Sequence, residues 1–127
     1  MTLEEYEELS HLTANTACAV KEHYSHGPSW VYDLDHASRG LCTEAGELAD
    51  ITKRYFIYGK EIDQIHAIEE VGDLLWYASL ACKALGVSMS EVMYKNIEKL
   101  KVRYPNLYNQ SDALNRNLDV ERKELEK

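Results

Sequence analysis

Two short acidic runs have the residue types and spacing to do chemistry together. Glu44-Ala45-Gly46-Glu47 and Glu70-Val71-Gly72-Asp73 each carry carboxylates at i and i+3 around a glycine. In a helix that spacing puts both acids of a pair on one face. Between Glu47 and Glu70 lie 22 residues, enough to finish one helix, turn, and run back to the same height. Four converging carboxylates repel: one like-charged pair at ~4 Å costs on the order of 4 kcal/mol at an effective dielectric near 20. Such a cluster needs protons or cations to neutralise it. All-oxygen ligation without histidine or thiolate selects a hard ion, so Mg2+ is expected, with Mn2+ as a substitute. Gly46 and Gly72 each cost roughly 0.5–1 kcal/mol relative to alanine inside a helix and are expected to let the two backbones approach closely. One E-x-x-E in a chain with 28% charged residues is ordinarily a solvated face; the second pair, with its own glycine, favours a metal site.

A basic stripe complements the acids. Asn96, Lys99 and Arg103 follow at i, i+3 and i+7, one helical face, where an amide, an ammonium and a guanidinium can hold phosphate oxygens. Lys53, six residues past Glu47, is a further phosphate candidate. The formal charge of −8 suits a polyanionic substrate only if divalent ions offset the repulsion, which points to phosphate esters. Trp30, Tyr32 and His36 can stack on or hydrogen-bond a nucleobase, or equally cap a core. Trp76 shares the face of Asp73, with core packing its plainer role. His11, His23, His26 and His66 read as surface or loop residues rather than ligands. Cys18, Cys42 and Cys82 are odd in number and never C-x-x-C, which excludes a disulfide framework and a structural zinc site; all three read as small buried residues.

The elements that must position these residues are helical. Thr2 with Glu5 forms a capping box for a helix expected to reach about Glu22. A loop over His23 to Tyr32 contains the Gly27-Pro28 breaker. A second helix is expected from Asp33 or Asp35 to Tyr58, stopped by Gly59. Asp63 caps a third, whose residues Ile65, Ile68, Val71, Leu75 and Ala78 mark one buried face before Gly86 stops it. Ser88 with Glu91 opens a fourth, ended by Pro105. A short helix from about Leu118 is expected in the polar tail. No strand pattern competes. The expected architecture is all-α: an antiparallel four-helix bundle with a short extra C-terminal helix, one domain over 1–127, its core about 33–105 and its arm 106–127.

Composition excludes several classes. A length of 127 residues suits one domain, and 45% hydrophobic residues suffice for a core. A sequence pI near 5.1 and a net charge of −8 argue against nucleic acid as a partner. No apolar run approaches the ~18 residues of a membrane span, and the acidic start is unlike a signal peptide, so a cytoplasmic location is expected.

The residues Glu44-x-x-Glu47 and Glu70-x-x-Asp73, 22 residues apart, resemble the E-x-x-E…E-x-x-D signature of the all-α nucleoside triphosphate pyrophosphohydrolases. Glu69-Glu70-Val71-Gly72-Asp73-Leu74-Leu75 and the run from Asn96 to Pro105 look most like the MazG-like branch. The resemblance covers roughly Asp35 to Pro105. It implies magnesium-aided hydrolysis of a nucleoside triphosphate to the monophosphate and pyrophosphate. Glu44, Glu47, Glu70 and Asp73 match the metal ligands, and Lys99 and Arg103 the phosphate contacts, with Asn96 beside them. It also implies a homodimer or homotetramer in which helices of two subunits complete each site. Some relatives carry an extra acid beside the first motif glutamate, where this chain has Thr43 and Ala45. Water activation therefore falls to metal, to one of the four acids or to Glu69, with Glu44 and Glu47 ranked first. No covalent nucleophile is needed. Two other readings compete. A di-iron carboxylate bundle needs two E-x-x-H motifs, and Glu8-x-x-His11 is the only one. A non-catalytic helical interaction module would use its acids merely for solubility.

Overall fold

The structure, a computed structural model, describes residues 1–14 and 27–127. These residues form six helices and, among themselves, no strand. Their ends follow local chemistry. Thr2 opens α1 (Leu3–Thr13) by a reciprocal box: Glu5 N–H donates to Thr2 Oγ1 at 3.2 Å, and Thr2 N–H to the Glu5 carboxylate at 2.7 Å. At Ala14 the backbone turns extended, with ψ 129°, so α1 is shorter than the expected run. The rest of that run to Glu22, with Cys18, His23 and His26, lies outside the described residues.

Helix α2 (Ser29–Tyr58) begins four residues before Asp33. Pro28, with φ −67°, caps it directly; its missing N–H is a donor that a helix start leaves unpaired anyway. The segment Ser29 to Tyr32, expected as loop, is therefore helical. Gly59 ends α2 at φ 61°, and Lys60 N–H donates back to Arg54 O, a left-handed cap that suits glycine. Asp63 then opens α3 (Gln64–Leu85), its Oδ1 accepting from the N–H groups of Ile65 and His66 at 3.1 Å each.

The chain divides into two compact units, residues 1–88 and 89–127. In the first, α2 and α3 form an antiparallel helical hairpin, and α1 lies on α3. The α1 contact is polar as well as apolar: Ser10 and Ser79 share a buried hydroxyl hydrogen bond at 2.8 Å, and the His11 ring meets Ser79 Oγ at 3.1 Å. Trp76 donates its indole N–H to Thr13 Oγ1 at 2.8 Å, so it anchors α1. Ala37, Ile51, Leu80 and Cys82 are the buried apolar residues of this unit among those described.

Two expectations need correction here. The Ile65, Ile68, Val71, Leu75 stripe is not buried: those residues are 81%, 73%, 46% and 48% exposed, and α3 instead turns Glu70, Ser79, Leu80 and Cys82 inward. Periodicity identifies a face, not what covers it. Cys42 is likewise exposed, whereas Cys82 is buried.

In the second unit α4 (Met89–Arg103) stops short of Pro105, as that proline's steric demand on the preceding residue requires. Helix α5 (Gln110–Leu114) was not expected; Asn109 caps it, accepting from Asp112 N–H at 2.8 Å. Helix α6 (Leu118–Leu125) starts at the expected place and packs on α4.

Candidate functional site

The hairpin register determines which acids meet. Adding a Cβ to Gly40 would place it 2.2 Å from the Tyr77 ring, so α2 and α3 touch at that level. Stepping up α2 from Gly40 to Glu44 to Glu47 steps down α3 from Tyr77 to Asp73 to Glu70. Ligand oxygens of Glu44, Glu70 and Asp73 all lie within 4.8 Å of one another, as do donor atoms of Glu47, His66 and Glu70. Glu70 belongs to both groups. The close-approach glycine is thus Gly40. Gly46 and Gly72 were expected in that role, but a Cβ on either would meet open space.

Glu70 is the unusual member. It is 3% exposed, its Oε1 takes a hydrogen bond from His66 Nε2 at 2.7 Å, and its buried Oε2 has no partner. Burial pushes its carboxyl above the usual range, Glu47 and Glu44 push it further, and His66 partly opposes them. Asp73 also reaches α1: burial first, then the Asp73 charge, raise the Tyr6 phenol. A buried carboxylate with an unpartnered oxygen, in groups shared with three other acids, fits a divalent cation, and an oxygen-rich donor set fits a hard one.

His66, expected as a surface or loop residue, is 41% exposed, but it also pairs with Glu70, which the sequence reading did not draw. It is in the first turn of α3, four residues before Glu70, and the i,i+4 spacing is the signal that could have found it. It also lines a cavity of about 390 Å³ at the hairpin's closed end, together with Asp50, Arg54, Tyr58 and Lys60.

The other singled-out residues are dispersed. Lys53 pairs with Asp50, which also holds Arg54 at 2.5 Å; Lys53 first, then Arg54, lower the Asp50 carboxyl against the opposing effect of burial. His36 stands edge-on to Tyr77 at 5.8 Å. Trp30, 47% exposed, lies by Lys83 to Gly86 at the hairpin's open end, about 21 Å along α2 from Glu44 at 1.5 Å per residue. In the second unit, Lys99 Nζ donates to Asn96 Oδ1 at 2.7 Å. Arg103 is not a free cation. It makes a fork to Glu121, Nε to Oε1 at 2.9 Å and Nη2 to Oε2 at 2.6 Å, and Arg116 joins the same carboxylate at 2.7 Å. The two guanidinium groups hold the Glu121 carboxyl down at about 2.

The comparisons with known proteins point to a family. The "Gene 37 protein" of Mycobacterium phage L5 is 33% identical over 76 residues, covering 55% of this chain and 65% of that protein. The chain therefore spans just under two thirds of the length of that relative. No solved structure matches. The MazG nucleotide pyrophosphohydrolase domain matches residues 34–108, which include both acid pairs and the Asn96, Lys99 and Arg103 stripe. With more than half its length matched, the chain belongs to the MazG nucleotide pyrophosphohydrolase family.

Proposed function

We propose that this chain is a magnesium-dependent nucleoside triphosphate pyrophosphohydrolase, splitting a ribo- or deoxyribonucleoside triphosphate into the monophosphate and pyrophosphate. The observation that carries the reading is Glu70, buried with one oxygen unpartnered and shared by two groups of possible ligands that include Glu44, Glu47 and Asp73. An uncompensated buried carboxylate is costly, and a cation relieves it. Glu44, Glu47, Glu70 and Asp73 hold the ions. Bound magnesium supplies a water of lowered pKa and charge neutralisation at the phosphates. Glu44 and Glu47, both less buried than Glu70, would be the carboxylates that help orient an attacking water and accept its proton. Lys99 and Asn96 receive phosphate oxygens, and Lys53 is a further contact. Arg103 joins them by exchanging Glu121 oxygens for phosphate oxygens, which have the same forked geometry. His36 and Trp30 are the candidates for contact with the base.

The exposed Ile65, Ile68, Val71, Leu75 stripe supports assembly as a homodimer or homotetramer, a second copy covering it and completing a helical bundle. The functional unit is one domain, its core about 33–105 and its arm 106–127, working in the cytoplasm. No described helix is long and apolar enough to cross a membrane.

The test is incubation with each common ribo- and deoxyribonucleoside triphosphate plus Mg2+. Pyrophosphate release that disappears in Glu47→Gln and Asp73→Asn is the expected result. Orthophosphate release, or activity indifferent to both substitutions, overturns the assignment. Absence of both turnover and any Mg2+-dependent change in thermal midpoint leaves a helical interaction module as the reading.

A further inference from the structure

The acid cluster has two unequal halves that share Glu70. Glu44, Glu70 and Asp73 offer oxygen alone, whereas Glu47, His66 and Glu70 offer two oxygens and an imidazole nitrogen. We propose that His66 is a metal ligand, and that its half of the centre takes a nitrogen-accepting divalent ion such as Mn2+ in preference to Mg2+. The inference rests on the reading of the four acids as a cation site.

Three observations support it. First, His66 Nε2 stands 2.7 Å from Glu70 Oε1. Two adjacent donors on one six-coordinate ion at about 2.1 Å from the metal lie ~3.0 Å apart, so the pair needs to open by only a few tenths of an ångström. Second, the Glu47 donor completes the group within 4.8 Å, and Glu70, which keeps a buried oxygen without a partner, also belongs to the oxygen-only group. Third, His66 lies in the first turn of α3 and is 41% exposed, so its ring exchanges a proton with solvent without rearrangement of the fold. On ligation the hydrogen bond to Glu70 is given up, Nε2 binds the ion and the ring proton sits on Nδ1, exchanged through solvent. Imidazole suits first-row transition ions, whereas Mg2+ prefers oxygen and retains its water.

The competing role for His66 is to orient Glu70 by that hydrogen bond. His66→Gln separates the two, because glutamine keeps an N–H donor for Glu70 and has no ligating nitrogen. The experiment uses the full chain, stripped of metal and reloaded with Mn2+ alone or Mg2+ alone, with circular dichroism to check folding. Pulsed electron paramagnetic resonance of the Mn2+ protein is expected to show a directly coupled nitrogen that His66→Gln removes. Calorimetry is expected to show Mn2+ affinity falling at least ~10-fold in His66→Gln, with Mg2+ affinity changing less than about threefold. Mn2+ binding without nitrogen coupling, or equal losses for both ions, overturns the His66 assignment and leaves the four-acid reading intact. If neither ion binds the wild-type chain, the four-acid reading falls as well. Should His66→Gln fail to fold, His66→Asn provides the same readouts.

Discussion

Two buried glutamates, one in each unit, meet opposite environments. Glu70 is 3% exposed and Glu121 4% exposed. Glu121 has two guanidinium groups on its oxygens and a carboxyl held at about 2. Glu70 has one imidazole, acidic neighbours, an unpaired oxygen and a carboxyl pushed upward, by burial first. A protein that neutralises one buried acid completely has the means to neutralise the other from its own side chains. It does so for Glu121, whereas Glu70 keeps one buried oxygen with no partner among the described residues.

The sharpest way to break this comparison is to neutralise each acid in turn. Glu70→Gln is expected to lower pyrophosphate release by ~100-fold or more, since even the outer partners of metal ligands are worth 10–100-fold. It is also expected to remove the rise in thermal midpoint that Mg2+ gives the wild type. Glu121→Gln should keep that Mg2+ response while lowering the midpoint of the metal-free protein, because Arg103 and Arg116 lose their anion. If both variants behave alike in a thermal-shift assay, the two glutamates are not different in kind.

A second contrast lies between glycines. Gly40→Ala places a methyl against the Tyr77 ring, and overpacking of this sort costs about 1–3 kcal/mol, readable by urea denaturation. Gly46→Ala meets nothing and is expected to raise the metal-free stability by up to ~1 kcal/mol through helix propensity. The same sign in both would put the helix contact elsewhere.

A gentler probe is pH. Glu121 is depressed from 4.5 to about 2, so its contribution is complete above about pH 4.5 and lost as pH falls towards 2. Glu70 is raised, so in the metal-free protein protonation favours the folded state and its effect has the opposite sign. Urea midpoints across pH 2–7, with Glu70→Gln and Glu121→Gln each removing one limb, check both directions.

What could be read in the sequence was the part governed by local spacing. The i,i+3 acids, the Thr2 box, the Asp63 cap and the Gly59 and Gly86 stops depend on neighbours along one helix. Facing helices bring in information that a single periodicity lacks. Gly46 and Gly72 stood beside the acids and so attracted the close contact that Gly40 makes with Tyr77. The apolar stripe of α3 was assigned to a core although it faces outward in this chain. Arg103 fitted a phosphate stripe, and nothing nearby in sequence announced a partner 18 residues on in Glu121. His66 reads as a surface residue and is 41% exposed; what was not drawn is its pairing with Glu70. Its partner was one helical turn away.

The five-residue link between α2 and α3 has one more consequence. All four acids and His66 fall within thirty consecutive residues, 44–73, on a single hairpin. Closing a loop over so few residues costs little entropy. An ion held there would clasp one short stretch of chain to itself rather than fasten distant segments together.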